Sequence, residues 1–303
     1  MRPVLRCAIP VLTAALALAN TGCGGSKSSE RSPTSPAGAQ HPVAGGSARV
    51  SAQGVSAMAV APTLGAANSF AVLGGSAVTN TGLTVVTGDL GIRPGSSCSG
   101  LPAPCIGGGP GIVLGTIHIA DAAALAAQNS ITTAYNALAT QPFTSNLTGT
   151  DLGTLGPLPP GVYFFSSSAQ LTGTLTLDGL GNPNAVWVFR IGSTLTTASG
   201  SSVGFIGSGR SCGAFWQVGS SATLGSATNF SGNILALASI SLNTGANSDG
   251  GLFARTGAVT LDANNVNRVG SCGAPRVPAL PNVAAWGLFA ILLACGVFVL
   301  GRR

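Results

Sequence analysis

Charge is scarce in this chain of 303 residues: only 7% are Asp, Glu, Lys or Arg, where soluble domains usually carry about 25%. Aromatic residues are scarce too, at 5%. Between Leu64 and Cys272 there is no Glu and no Lys, and His118 is the only histidine. General acid–base catalysis needs groups that titrate near neutral pH, and this region holds almost none. The same region sets five arginines against six aspartates, a net of −1, whereas the two tails hold eight cations against Glu30, a net of +7. The formal charge of +6 therefore belongs to terminal segments, and no nucleic-acid partner is expected. What the chain has in quantity is Gly, with 45 residues, together with Ser, Thr and Asn, which must supply its solubility.

The ends read as addresses. Residues 1–23 have the layout of a secretory signal, with Arg2 and Arg6 ahead of an apolar run. Two processing sites compete. One is the small-x-small Ala17-Leu18-Ala19; the other is Thr21-Gly22-Cys23, which resembles a bacterial lipobox with Cys23 lipidated, although Asn20 stands where an aliphatic residue is usual. Residues 24–62 are rich in Ser, Pro and Gly and lack periodicity, so they read as a disordered linker. Residues 273–303 read as a C-terminal sorting signal or membrane anchor. The run 283–300 is long enough to span a bilayer core, and Arg302 and Arg303 follow it. Val277-Pro278-Ala279-Leu280 and Trp286-Gly287 resemble exosortase-type sorting signals, with three extra residues between the two parts. A buried terminal helix is the alternative for this run. The expected location is the cell surface or the medium, with membrane contact through the terminal segments only.

Four cysteines remain in the exported domain, 63–272. Four cysteines allow three pairings; the expected one joins Cys98 to Cys105 and Cys212 to Cys272. A metal site is the other option, but neither histidines nor a paired CxxC accompanies them.

A repeat runs through this domain. A hydroxyl residue followed by Leu recurs at Thr176-Leu177, Thr194-Leu195, Thr223-Leu224, Ser241-Leu242 and Thr260-Leu261, with leucine spacings of 18, 29, 18 and 19. The loop-like stretch 207–213 explains the long interval as an insertion. Three short strands and three corners per period predict a mostly β fold, a parallel β-solenoid of triangular section. Leu would point inward, placing Thr176, Thr194, Thr223, Ser241 and Thr260 in one exposed ladder and Asp178, Thr196, Gly225, Asn243 and Asp262 in a second. A further column begins two residues after each Leu: Thr197-Ala198-Ser199-Gly200, Ser226-Ala227-Thr228-Asn229 and Thr244-Gly245-Ala246-Asn247, with an outlying copy at Thr81-Gly82-Leu83-Thr84. These tetrads read either as solenoid corners or as a repeated surface motif.

One segment departs from the β pattern. Residues 119–140 are Ala-rich and predict a helix capped by Asp121, stopped by Gln141-Pro142, and apolar along Leu125, Ala127, Ile131, Ala134, Tyr135 and Leu138. Residues 161–165, 185–189 and 215–218 read as buried strands. His118 is expected to be structural, and Arg93, Arg190 and Arg255 to lie at coil edges.

Several stretches in order carry a resemblance. They are Ala67-Asn68-Ser69-Phe70-Ala71-Val72-Leu73, Thr79-Asn80-Thr81-Gly82 leading to Gly88-Asp89-Leu90-Gly91, and Gly115-Thr116-Ile117-His118. Pro160-Gly161-Val162-Tyr163, the run 182–189 and the run 215–225 follow. Together they resemble the microbial ice-binding (antifreeze) proteins. That resemblance implies a discontinuous, right-handed-type β-solenoid with a helix packed alongside. It also implies ice adsorption through a flat face bearing a Thr–small–any–Thr/Asn motif, giving thermal hysteresis or inhibition of ice recrystallisation. The ice-contact candidates are Thr81, Thr84, Thr194, Thr196, Thr197, Ser199, Thr223, Ser226, Thr228, Asn229, Ser241, Asn243, Thr244 and Asn247. The partner expected is an ice crystal surface, met by a monomeric solenoid without cofactor, metal or catalytic residue. A surface adhesin for a glycan or another solid is the alternative. A polysaccharide-cleaving solenoid is disfavoured because the six aspartates suggest no paired constellation.

Overall fold

Short strands separated by corners rich in Gly and Asn wind into coils, and the coils stack through parallel backbone pairing. The computed structural model describes residues 58–268. Three parallel sheets of nine, seven and seven strands form the walls. A single coil contributes Trp187–Ile191 to the first wall, Leu195–Thr197 to the second and Ser202–Ile206 to the third.

Stacking order differs from chain order. In the second wall Ala77–Thr81 lies between Val259–Asp262 and Ser97–Ser99. The last coil thus stacks on the first, with Val78 opposite Val259 and Val86 opposite Val266. The solenoid is therefore discontinuous, and each coil's backbone groups are satisfied by its neighbours in the stack.

Side chains alternate across each strand, and the inward set is apolar. Leu195, Ala222, Ile240, Val259 and Val78 form one inward column of the second wall, all fully buried. This register corrects the expected alignment. Leu195 faces Ala222 and Thr196 faces Thr223, two residues from the pairing of Leu195 with Leu224. Thr176 and Asp178 belong to a different wall, on the strand Thr174–Asp178, so neither expected ladder contains them. The cause is loop length. The stretch 207–213 is an insertion as expected, holding a 3-10 turn at Ser211–Gly213, but the turns over 179–186 form another.

Aromatic residues thicken the core behind the first wall. Tyr163, Phe189 and Trp216 stack in one column, with ring centroids 5.4 and 3.9 Å apart. Trp216 then leans on Phe230 at 4.9 Å, and its indole N–H donates to the Ser231 carbonyl at 3.2 Å. Burial pushes the Tyr163 phenol up to about 12, and its hydroxyl donates to the Pro159 carbonyl at 2.6 Å. Of the three buried strands expected, Gly161–Phe165 is observed as such. The other two are Trp187–Ile191 and Ala214–Val218.

The helix Ala122–Ala139 covers the first wall. Its buried residues, Ala124, Ala127, Gln128, Ile131, Ala134, Tyr135 and Leu138, recur at helical spacing along one stripe. They pack on Val162, Val188, Phe215, Leu235 and Phe253. Leu125, expected on that stripe, is exposed instead. Gln128 donates to the Ala254 carbonyl at 3.1 Å and Tyr135 to that of Val218 at 3.3 Å, so the helix is fixed by polar contacts as well as apolar area. Arg255 lies over the Tyr135 ring at 4.5 Å. Arg93 and Arg190 donate to the Ala120 and Gln141 carbonyls at the two ends of the helix.

Asp121 caps this helix, accepting from the Ala124 N–H at 2.8 Å, and its other oxygen meets His118 Nδ1 at 2.7 Å. His118 is thus structural, as expected. The Ala124 N–H foremost, then the His118 contact, hold the Asp121 carboxyl below its usual range. Asp151 is also held low. Burial pushes it up, but the hydroxyl and N–H of Thr172 and the N–H of Gly153 outweigh that. Depressed carboxyl values stabilise the fold above about pH 4, and that contribution is lost as pH falls through the folded-state values. Melting at pH 3 is therefore expected below melting at pH 6, by circular dichroism. Asp121→Ala is expected to cost about 1 kcal/mol at pH 6 and to flatten part of the pH dependence.

Cys98 and Cys105 form the expected disulfide, with Cα atoms 4.7 Å apart. It ties the strand Ser97–Ser99 to the loop at that end of the stack. Cys212 is also disulfide-bonded; Cys272, its expected partner, lies outside the described residues. So do the signal and lipobox with Cys23, most of the linker 24–62 and the terminal segment 273–303. Among the described residues no helix is long and apolar enough to cross a membrane.

Candidate functional site

The outward positions of the second wall form a rank running the length of the stack. Backbone register aligns Gln170, Thr196, Thr223, Ser241, Thr260, Thr79 and Ser99. Seven strands at the spacing of a parallel sheet make this rank about 29 Å long. A second rank, two residues earlier on each strand, comprises Ser168, Thr194, Ser221, Ser239, Ala258, Ala77 and Ser97. None of these positions bears a charge.

The hydroxyls differ in what they touch. Thr79 donates to Thr260 at 3.4 Å and Thr194 to Ser168 at 2.8 Å. Among the described residues, no protein group engages the hydroxyls of Thr196, Thr223 and Ser241, which are left to solvent. The inward neighbours on the same strands are fully packed. Outward side chains therefore stand on a rigid base, with few rotamers at each threonine.

The corner between the second and third walls holds the tetrads. Gly82, Gly173, Gly200, Ala227, Gly245 and Ala263 occur there with positive φ, between 50° and 84°. At Gly82, Ala227 and Gly245 this is the small second residue of the motif, which thus has a backbone reason, because larger side chains resist the left-handed region. In 197–200 it is the last residue, Gly200, and with Ser202 opposite Asn229 the stretch in line with Ser226-Ala227-Thr228-Asn229 is Ser199-Gly200-Ser201-Ser202, two residues later than expected. Some tetrad hydroxyls point into the corner. Thr84 and Thr228 are fully buried and Thr197 nearly so. Thr197 and Thr228 bond each other at 2.9 Å, and Thr84 accepts from the Asn264 N–H at 3.1 Å. These three expected contact residues hold the corner and present nothing to a surface.

The remaining candidates divide between two walls and the corner that joins them. Thr194, Thr196, Thr223 and Ser241 lie on the hydroxyl wall, and Thr81, Ser199, Ser226, Asn243 and Thr244 lie along the corner edge. Asn229 and Asn247 belong to the third wall, where Asn247 donates to Asn229 at 3.1 Å and accepts from the Asn265 N–H at 3.0 Å. That wall also carries Asp249 and ends on exposed Ile112 and Leu114. The first wall lies under the helix. Of the three walls described, the second is open, and its two outward ranks are uncharged and largely hydroxyl-bearing; its carboxylate, Asp262, stands at the corner end of the strand Val259–Asp262. Thr79, Ser97, Ser99, Ser168, Ser221 and Ser239 belong to this wall and were not among the expected contacts.

Catalytic material is thin on this surface. A shallow cleft at one end is lined by Thr150, Asp151, Ser168, Gln170 and Thr196, and Asp151 is spent on capping the turn Leu152–Thr154. Among the described residues no cluster of three His, Cys, Asp or Glu could hold a metal ion.

Comparison with known proteins agrees with this geometry. Residues 72–267 match the Ice-binding-like family. The chain is 57% identical over 205 residues to an ice-binding protein of Nostoc sp. (strain HG1), covering 67% of this chain and 73% of that protein. Among solved structures, it is similar to an ice binding protein from an Antarctic biological consortium. There the TM-score is 0.65 and the identity 45%, covering 69% of this chain and 91% of that one. An ice-binding protein from the ascomycete Antarctomyces psychrotrophicus gives a TM-score of 0.64 at 39% identity, covering 69% and 98%.

Proposed function

The chain belongs to the Ice-binding-like family, and from that premise we propose that it adsorbs to ice through its hydroxyl wall. The observation that carries this reading is the uncharged rank from Gln170 to Ser99, in register on seven strands. Ice is a solid, so its recognition calls for a flat, stiff face in place of a pocket. Threonine offers a methyl that water must order around and a hydroxyl that ties this ordered layer to the protein. A charged group would orient water in ways a lattice cannot match.

Adsorbed molecules pin the ice front, which then advances only by curving between them. Curvature raises the free energy of the solid, so growth stalls below the equilibrium freezing point. No turnover and no cofactor enters this cycle, and the relatives are named as ice-binding proteins. The signal-like run behind Arg2 and Arg6 supports export. Anchoring through Cys23 or the segment 273–303 would place the same face on the cell surface.

The test is ice growth in nanolitre droplets of the purified full-length chain. Faceted crystals that stop growing over a measurable interval below the melting point are the expected result. Rounded crystals that grow freely in the presence of folded protein would overturn the reading.

A further inference from the structure

Asp262 stands at the corner edge of the hydroxyl wall, where a charge would be expected to weaken contact with ice. Its surroundings argue the opposite role. Thr81, from the neighbouring coil, lies with its hydroxyl 3.0 Å from one carboxylate oxygen. Thr244, from the coil on the other side, donates to the second oxygen. The alternative acceptor for Thr81, the Leu261 carbonyl, is at 3.5 Å, the outer limit of a hydrogen bond.

An ionised carboxylate only accepts, and each threonine hydroxyl has a single proton. Both protons must therefore point at Asp262. Thr81 and Thr244, which are exposed, are left presenting only lone pairs and a methyl group to solvent. The unengaged hydroxyls of Thr196, Thr223 and Ser241 can turn either way. The two corner threonines cannot, and the charge that fixes them is partly spent on their two donors.

We propose that Asp262 is a positioning residue for ice adsorption, locking Thr81 and Thr244 as acceptors so that the first water layer at this edge must donate to them. This rests on the hydroxyl wall being the ice-contact surface. Locking before contact lowers the ordering cost of adsorption, as preorganisation does in other interfaces.

The experiment measures uptake of full-length chain into slowly grown ice, with melting temperature recorded in parallel. Asp262→Asn offers one acceptor oxygen and two N–H donors, so it can hold only one threonine as before. Its uptake is expected to weaken about fivefold, the worth of one net hydrogen bond. Asp262→Glu restores an acceptor-only group on a longer stem and is expected to recover part of the loss.

The decisive comparison is in the Thr81→Val/Thr244→Val background, where Asp262→Asn should have no further effect, because its partners are gone. A further loss of the same size there would show that Asp262 acts through the fold alone and would overturn the proposal. So would undiminished uptake of Asp262→Asn beside an active wild type. Wild-type uptake no greater than that of a non-binding protein would instead overturn the ice-contact reading itself.

Discussion

Thr223→Tyr, in the middle of the hydroxyl wall, is expected to weaken ice adsorption at least tenfold, a loss of about 1.4 kcal/mol or more. Thr223 lies between Thr196 and Ser241 in one outward rank, so a tyrosine there stands above its neighbours and props the flat surface away from a solid. Its inward neighbours Ala222 and Leu224 are untouched, and the melting temperature should move by no more than about 2 °C. Asn265→Tyr on the third wall is the matched control. It adds the same ring two coils along the stack but faces another way, and it should leave ice growth as in the wild type. Ice shaping and the freezing interval, measured for both variants, decide the matter. Equal loss from both would show that the face has been placed wrongly.

Trp216→Ala is expected to cost about 3–5 kcal/mol of stability. Trp216 is fully buried between Phe189 at 3.9 Å and Phe230 at 4.9 Å. Alanine would leave a hole between two rings that the stacked backbones on either side cannot close. It would also remove the donor to the Ser231 carbonyl. For a domain of about 200 residues this corresponds to a fall in melting temperature of about 10 °C, readable by circular dichroism. A fall of only a degree or two would mean that the aromatic column is not the mechanical centre of the solenoid. Because the residue touches no outward rank, ice activity per folded molecule should persist.

Much of this is legible in the sequence, for identifiable reasons. The spacing of Thr223, Ser241 and Thr260 placed these three in the rank they occupy, since no insertion interrupts that part of the chain. The helix and its Asp121 cap followed from composition and a local hydrogen bond. The alignment of Leu195 failed because an inward position in this column can be Leu, Ala, Ile or Val, so the leucines gave no anchor across an insertion. Thr84, Thr197 and Thr228 turn inward against expectation, because a hydroxyl in a corner motif reads alike whether it bonds outward or inward. Thr79 and Ser99 are hidden from the sequence for a different reason. Their places in the rank depend on Thr79 lying against Thr260, 181 residues away, and nothing local announces that contact.

That seam has a consequence for how the molecule comes into being. A simple solenoid could add each finished coil to the last as the chain leaves the ribosome. Here the first two coils must wait for the last one, because the strand Val259–Asp262 inserts between Ala77–Thr81 and the rest of the wall. Contacts so distant in sequence are slow to form. A chain interrupted before residue 259 would leave the edge of Ala77–Thr81 unpaired, a template for the wrong partner. The gap closes only once residues 259–262 have been made, so a product truncated before them lacks the seam that joins Thr79 and Ser99 to the rest of the rank.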